Sequence, residues 1–169
     1  MDRGAAIFTR MRIHNDRTTR ATAEQYDQDG GTRKENHMRY TWLGNSDLKV
    51  SRICMGCMGF GDAREGQHSW TVDEEHSREI IKRGLELGVN FFDTAIGYQS
   101  GTSEQYVGRA LKSYAKRDEV VVATKFLPRT LADIEAGITG QQHIERMVNK
   151  SLENLGMDYV ESCVIHGIT

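Results

Sequence analysis

Asp93, Tyr98, Lys125 and His166 are the residues of this chain whose types and positions could do chemistry together. Three of them end apolar runs: NFFD stops at Asp93, VVVATK at Lys125 and VESCVIH at His166. Tyr98 follows Asp93 on the next loop. A phenol ordinarily titrates at about 10. A lysine ammonium beside it favours the phenolate and makes the phenol a better acid at neutral pH. A carboxylate next to that lysine holds the amine charged. A neutral imidazole can hydrogen-bond a substrate oxygen and turn it toward the phenol. The set describes a proton donor aimed at a carbonyl oxygen where negative charge develops. No side chain delivers hydride, so a cofactor would have to supply it.

Taken singly, each residue has a plainer reading. Asp93 fits a strand-end turn, and His166 fits a hydrogen-bonded structural histidine. Lys125 fits a solvated strand terminus, or the Schiff-base lysine of a barrel lyase. What would unite them is the set of elements that carries them. Residues 52–56, 89–92, 120–124 and 160–165 are apolar or β-branched without polar alternation, the pattern of strands covered on both faces. Between them lie three stretches at helical spacing. These are Ile80, Ile81, Leu85 and Leu87; then Tyr106, Val107, Ala110, Leu111 and Tyr114; then Ile144, Met147, Val148, Leu152 and Leu155. Thr71 with Glu74, Thr102 with Gln105 and Thr139 with Gln142 each fit a capping box at a helix start. Gly88 and Gly156 are natural C-terminal stops. The stretch TWLGNSDLKVS reads as a hairpin ahead of the first strand. Alternating strands and helices predict an α/β chain with a parallel sheet, and the carboxyl edge of such a sheet is where active sites form.

The rest of the sequence bounds the setting. A 38% hydrophobic, 27% charged chain of 169 residues is long enough for one ordinary globular domain. A net charge of -2 offers no basic field for nucleic acid. No apolar run nears the roughly 20 residues of a membrane span, and there is no secretory h-region. Three cysteines do not make a disulfide framework, so a cytoplasmic setting is expected. Residues 1–37 are polar and hold few large apolar side chains; they read as a disordered N-terminal extension before a domain at 38–169, with Met38 an alternative start. Cys54 and Cys57 have the spacing of a redox or zinc pair but no second pair, and read as buried packing. His68 and His76 read as surface residues, with no metal site expected. The glycines of MGCMGFGD lack dinucleotide-loop spacing. Residues 101–104 read as a helix cap rather than an anion site.

Over about residues 39–166 the sequence resembles the aldo-keto reductase family. The carriers are YTWLGNSDLKVSRICMGCMGFG, GVNFFDTAIGYQSGTSEQYVGRAL, VVVATKF and SLENLGMDYVESCVIH, in that order and spacing. The resemblance implies the first half of a (β/α)8 TIM barrel: parallel strands 1–4 with three helices, preceded by a β-hairpin. It implies NADP(H)-dependent reduction of aldehyde and ketone carbonyls. The family's tetrad falls on Asp93, Tyr98, Lys125 and His166, with the tyrosine as general acid, the lysine and aspartate tuning it, and the histidine orienting the carbonyl. Asp93 would also face the nicotinamide, and most other cofactor contacts would belong to the family's second half. A full barrel needs about 250 residues, and Glu161-Ser162-Cys163 departs from the family's usual continuation. The expectation is therefore a truncated chain with weak or absent turnover and open barrel edges that invite self-association. A Lys125 Schiff-base lyase and a non-catalytic, cofactor-sensing regulatory subunit of the same fold are the alternatives.

Overall fold

In the computed structural model, which describes residues 38–167, the hairpin forms as β1 (Tyr40–Trp42) and β2 (Lys49–Ser51). They pair antiparallel, with Tyr40 opposite Ser51 and Trp42 opposite Lys49. The proposed 1–37 extension lies outside the described residues. Four hydrogen bonds tie the hairpin to the segment that enters the second parallel strand, two of them donated by the Asn90 N–H to Ser51 Oγ and by the Asn90 side-chain amide to the Lys49 carbonyl. The Tyr40 hydroxyl donates to the Gly88 carbonyl at 2.8 Å, and the Ser51 N–H donates to Asn90 Oδ1 at 2.7 Å.

The four expected strands are β3 (Met55–Gly56), β4 (Phe91–Asp93), β5 (Val121–Phe126) and β6 (Ser162–Ile165). They pair parallel in sequence order. The connections are α1 (Glu74–Glu86), α2 (Thr102–Tyr114) and, after a short α3 (Leu131–Glu135), α4 (Gly140–Leu155). This is the βα order and half the strand count of a (β/α)8 barrel. The short α3 corrects the expectation of three helices. At five residues it is too brief to show a helical period, and it is set by a capping box between Thr130 and Asp133.

Only one of the three expected capping boxes forms, at Thr139 and Gln142. Helix α1 is capped by Asp73, which accepts from the His76 N–H at 3.0 Å. Thr71 is buried and its hydroxyl donates instead to the His68 carbonyl. Helix α2 is entered through Gly101, and Thr102 is already its first residue. The stop at Gly156 forms as expected, with that residue left-handed at φ 62°.

The core lies between the sheet and the helices. Phe92 and Val122 point outward to meet Ile81 of α1, Val107 and Leu111 of α2, and Leu155 of α4. Ile80, Leu87, Tyr114 and Ile144 fall on the exposed flanks of their helices. The opposite face of the sheet is the inner wall. There Val164 of the edge strand β6 is 50% exposed. Among the described residues no helix is long and apolar enough to cross a membrane.

Candidate active site

Strand register puts the site together. Asp93 stands opposite Ala123, and Lys125 stands opposite Val164. Side chains two apart in a strand share a face. Lys125 is therefore on the face of Asp93, one step higher, and His166 is on that face one step above Val164. The three residues climb two positions per strand, the stagger that tilted barrel strands impose. The His166 N–H donates to the Phe126 carbonyl at 2.8 Å, which carries the ladder past the end of β6.

The side chains meet in the order Asp93, Lys125, Tyr98, His166. Lys125 Nζ donates to both Asp93 oxygens at 2.8 Å and to the Thr94 carbonyl at 2.6 Å. All three ammonium N–H groups are thereby engaged. The same nitrogen lies 5.2 Å from the centre of the Tyr98 ring. The Tyr98 and His166 rings meet edge to face, with centres 5.7 Å apart. The Lys125 side chain is only 15% exposed, whereas Asp93 retains 40%. The ion pair is thus partly shielded on the lysine side and open on the carboxylate side.

Two supports hold Lys125 in place, and neither was foreseen from the sequence. The first is Glu104 of α2, which is fully buried. It accepts from the Thr124 hydroxyl at 2.7 Å and from the Asn154 amide at 2.8 Å, joining α2, β5 and α4 beside Lys125. The signal was present, since Glu104, Val107 and Leu111 fall on one helical stripe, but a carboxylate there reads as a flank residue. The second is His143 of α4, also buried, whose Nε2–H donates to the Leu127 carbonyl at 2.7 Å. Its Nδ1 accepts from Arg146 at 3.2 Å. Arg146, and then Thr130, hold the Asp133 carboxyl well below the usual carboxylate range.

Burial raises Glu104 above its ordinary value, against the opposing bonds from Asn154 and Thr124. The native state therefore binds this proton more tightly than the unfolded chain. The stabilising contribution is full below the unfolded value of about 4.3 and is lost as pH rises through the raised native value. Glu104→Gln removes that slope, because Thr124 and Asn154 can reorient to satisfy an amide. Urea midpoints should show the variant gaining on the wild type between pH of about 4 and about 7.5. An equal offset at both ends would refute the assignment.

The cysteine pair does not behave as a unit. Cys57 is buried and Cys54 exposed, with the extended Met55–Gly56 strand between them. Partial burial, then Asp93, pushes the Cys54 thiol up to about 11, so it is not a thiolate at neutral pH. This corrects the reading of both as buried packing and gives no support to a redox pair. His76 is exposed as expected, while His68 is half-buried and stacks on Trp70 with ring centres 4.8 Å apart.

The aldo/keto reductase family model matches residues 52–169. The chain belongs to the aldo/keto reductase family. Versiconal hemiacetal acetate reductase of Aspergillus parasiticus is 35% identical over an alignment of 153 positions, and the match covers 76% of this chain and 42% of that protein. Among solved structures, aldo-keto reductase AKR11C1 from Bacillus halodurans is 37% identical, with a TM-score of 0.62 over 79% of this chain and 41% of the other. An aldo-keto reductase from Klebsiella pneumoniae in complex with NADPH is 26% identical, with a TM-score of 0.53 over 72% of this chain and 37% of the other. The chain spans about two fifths of the length of the curated relatives it matches.

Proposed function

We propose that this chain carries the proton-donating side of an NADP(H)-dependent carbonyl reductase and reduces aldehydes or ketones slowly. The contact chain from Asp93 through Lys125 and Tyr98 to His166 is the observation that supports it. In this proposal the Tyr98 hydroxyl gives its proton to the substrate carbonyl oxygen. Lys125, kept charged by Asp93, stabilises the negative charge left on the Tyr98 oxygen. His166, at the edge of the Tyr98 ring, donates to the same substrate oxygen and fixes its direction.

The residues present suit one end of the cofactor. Each Asp93 oxygen takes a single N–H from Lys125, so free lone pairs remain on a carboxylate open to the inner face. They fit the amide of a nicotinamide. When bound, that group supplies the hydride. The Lys125 charge is already committed to Asp93 and Thr94, so the cofactor phosphates are assigned to residues beyond these four strands. Self-association through β3 and β6 is part of the same proposal, because both lie at sheet edges.

The test is loss of NADPH absorbance with a panel of aliphatic and aromatic aldehydes, with alcohol formation measured in parallel. The expected rate is well under the enzyme median of about 10 s⁻¹. NADPH oxidation no faster than buffer, at any aldehyde, would reject the activity for this chain.

A further inference from the structure

Immediately after Tyr98 the backbone turns left-handed for three residues. Gln99 has φ 47° and ψ 48°, Ser100 has φ 54° and ψ 30°, and Gly101 has φ 91° and ψ -7°. L-residues with side chains adopt this conformation singly and seldom in succession, because Cβ crowds the following carbonyl. A strained turn next to a reactive residue persists only where its surroundings over-determine it.

The surroundings here are built on one side chain. Gln99 is 1% exposed. Its amide nitrogen shares its two N–H groups among the carbonyls of Asp62 at 2.9 Å, of His68 at 2.8 Å, and of Glu65. Its amide oxygen accepts from the N–H groups of His68 at 2.9 Å and Gln67 at 3.2 Å. The next turn adds a sixth tie, since Thr102 Oγ1 donates to the Gln99 carbonyl and accepts from the Asp62 N–H. The approach is close enough that the loop carries glycine where it touches. A Cβ at Gly66 would stand 2.7 Å from Gln99 Cα, and one at Gly61 would stand 2.7 Å from Gln99 Cβ. The stretch from 61 to 68 therefore takes its shape from a residue some thirty positions later in the chain.

We propose that Gln99 is a positioning residue that locks this loop and the Tyr98 turn into one unit. Order in the loop and the placement of Tyr98 against His166 are set together. Loss of the Gln99 amide frees the loop, lets the left-handed turn relax, and draws the phenol away from His166. The functional meaning rests on Tyr98 as the proton donor, but the coupling itself is read without turnover.

The experiment uses the full chain and two readouts. Tryptic cleavage after Arg64, whose side chain is 88% exposed, reports the loop. The NMR cross-peak between the Tyr98 and His166 rings reports the site. Gln99→Ala is expected to raise cleavage after Arg64 about tenfold or more, as local opening becomes easier, and to abolish the cross-peak, with a cooperative melt retained. Gly66→Ala approaches from the loop side, through strain at φ +78° and the contact with Gln99, and is expected to do the same. Ser100→Gly removes strain without touching the amide and is expected to move neither readout. The proposal fails if cleavage rises while the cross-peak stays, or if neither changes. It also fails if both Gln99→Ala and Gly66→Ala unfold the whole domain, because the effect is confined to loop and turn. A wild-type chain without turnover sinks the reductase reading and leaves both readouts standing. Readouts that move independently sink the role of Gln99 and leave the reductase reading intact.

Discussion

Replacing Tyr98 by Phe is expected to lower NADPH-dependent aldehyde reduction by about 10²–10⁴-fold, the usual worth of a positioned general acid. The substitution is informative because it removes one oxygen and little else. The phenyl ring keeps its edge-to-face contact with His166 and its place beneath the Lys125 ammonium. Tyr98 is half-buried, so the melt should shift by less than a core substitution would cause. Asp93 and Lys125 do not touch the lost hydroxyl in their ion pair, and affinity for NADPH, read by fluorescence, should stay within about twofold of the wild type. The fall should appear in kcat, because proton donation acts in the transition state alone. Lys125→Met is a poorer test, since it strands the Asp93 carboxylate without its partner as well as removing the charge near the phenol. A Tyr98→Phe variant within about threefold of the wild type would show that the proton comes from elsewhere, and the proposed chemistry would have to be abandoned.

What the sequence disclosed, and what it hid, depends on how far each feature relies on distant residues. Asp93, Lys125 and His166 were legible because a polar residue ending an apolar run is a local signal, and parallel strands put such ends on one edge. Their mutual height on the inner wall was not legible, since it comes from pairing Asp93 with Ala123 and Lys125 with Val164. Local signals also misled where a competing partner stood nearby. The pattern Thr-x-x-Glu at residues 71–74 is a valid capping box, yet Asp73 caps the helix and the Thr71 hydroxyl is taken by His68. Residues 102–105 fit the same pattern, but the left-handed turn delivers the chain so that Thr102 lies inside the helix.

Gln99 carried no sequence signal at all. A glutamine between a tyrosine and a serine reads as a solvated turn residue, and only the return of the 61–68 loop buries it. Glu104 lay between these extremes. Its place on the apolar stripe of α2 was visible, but the hydroxyl and amide that make its burial tolerable sit on β5 and α4. The helices of this half barrel thus do more than cover the sheet. Through Glu104 and His143 they bond residues on both sides of Lys125, at the Thr124 hydroxyl and at the Leu127 carbonyl.

Gly108→Val should be the most destabilising single change at the helix layer, costing about 3 kcal/mol or more. A glycine inside a helix ordinarily weakens it by about 1 kcal/mol relative to alanine, so α2 forgoes propensity at this position. The compensation is contact between two helices at backbone distance. A Cβ at Gly108 would overlap the Leu155 carbonyl oxygen, and would lie 2.6 Å from its carbon and 2.8 Å from its Cα. Those atoms are main chain at the end of α4 and cannot rotate aside as a flexible side chain would. Valine adds a branched Cβ, so α2 and α4 must part, and the Glu104–Asn154 bond that joins them is pulled with them. The loss is a large share of the 5–15 kcal/mol that a typical domain has in hand. In urea the midpoint should fall by about 1–3 M with little change in slope. Gly140→Ala is the matched control on α4: nothing lies within 4 Å of its added Cβ, and it should leave the midpoint unchanged or raised. Equal midpoints for Gly108→Val and the wild type would mean that the two helices do not meet at this glycine, and with that the joint holding Thr124 beside Lys125 would lose its basis.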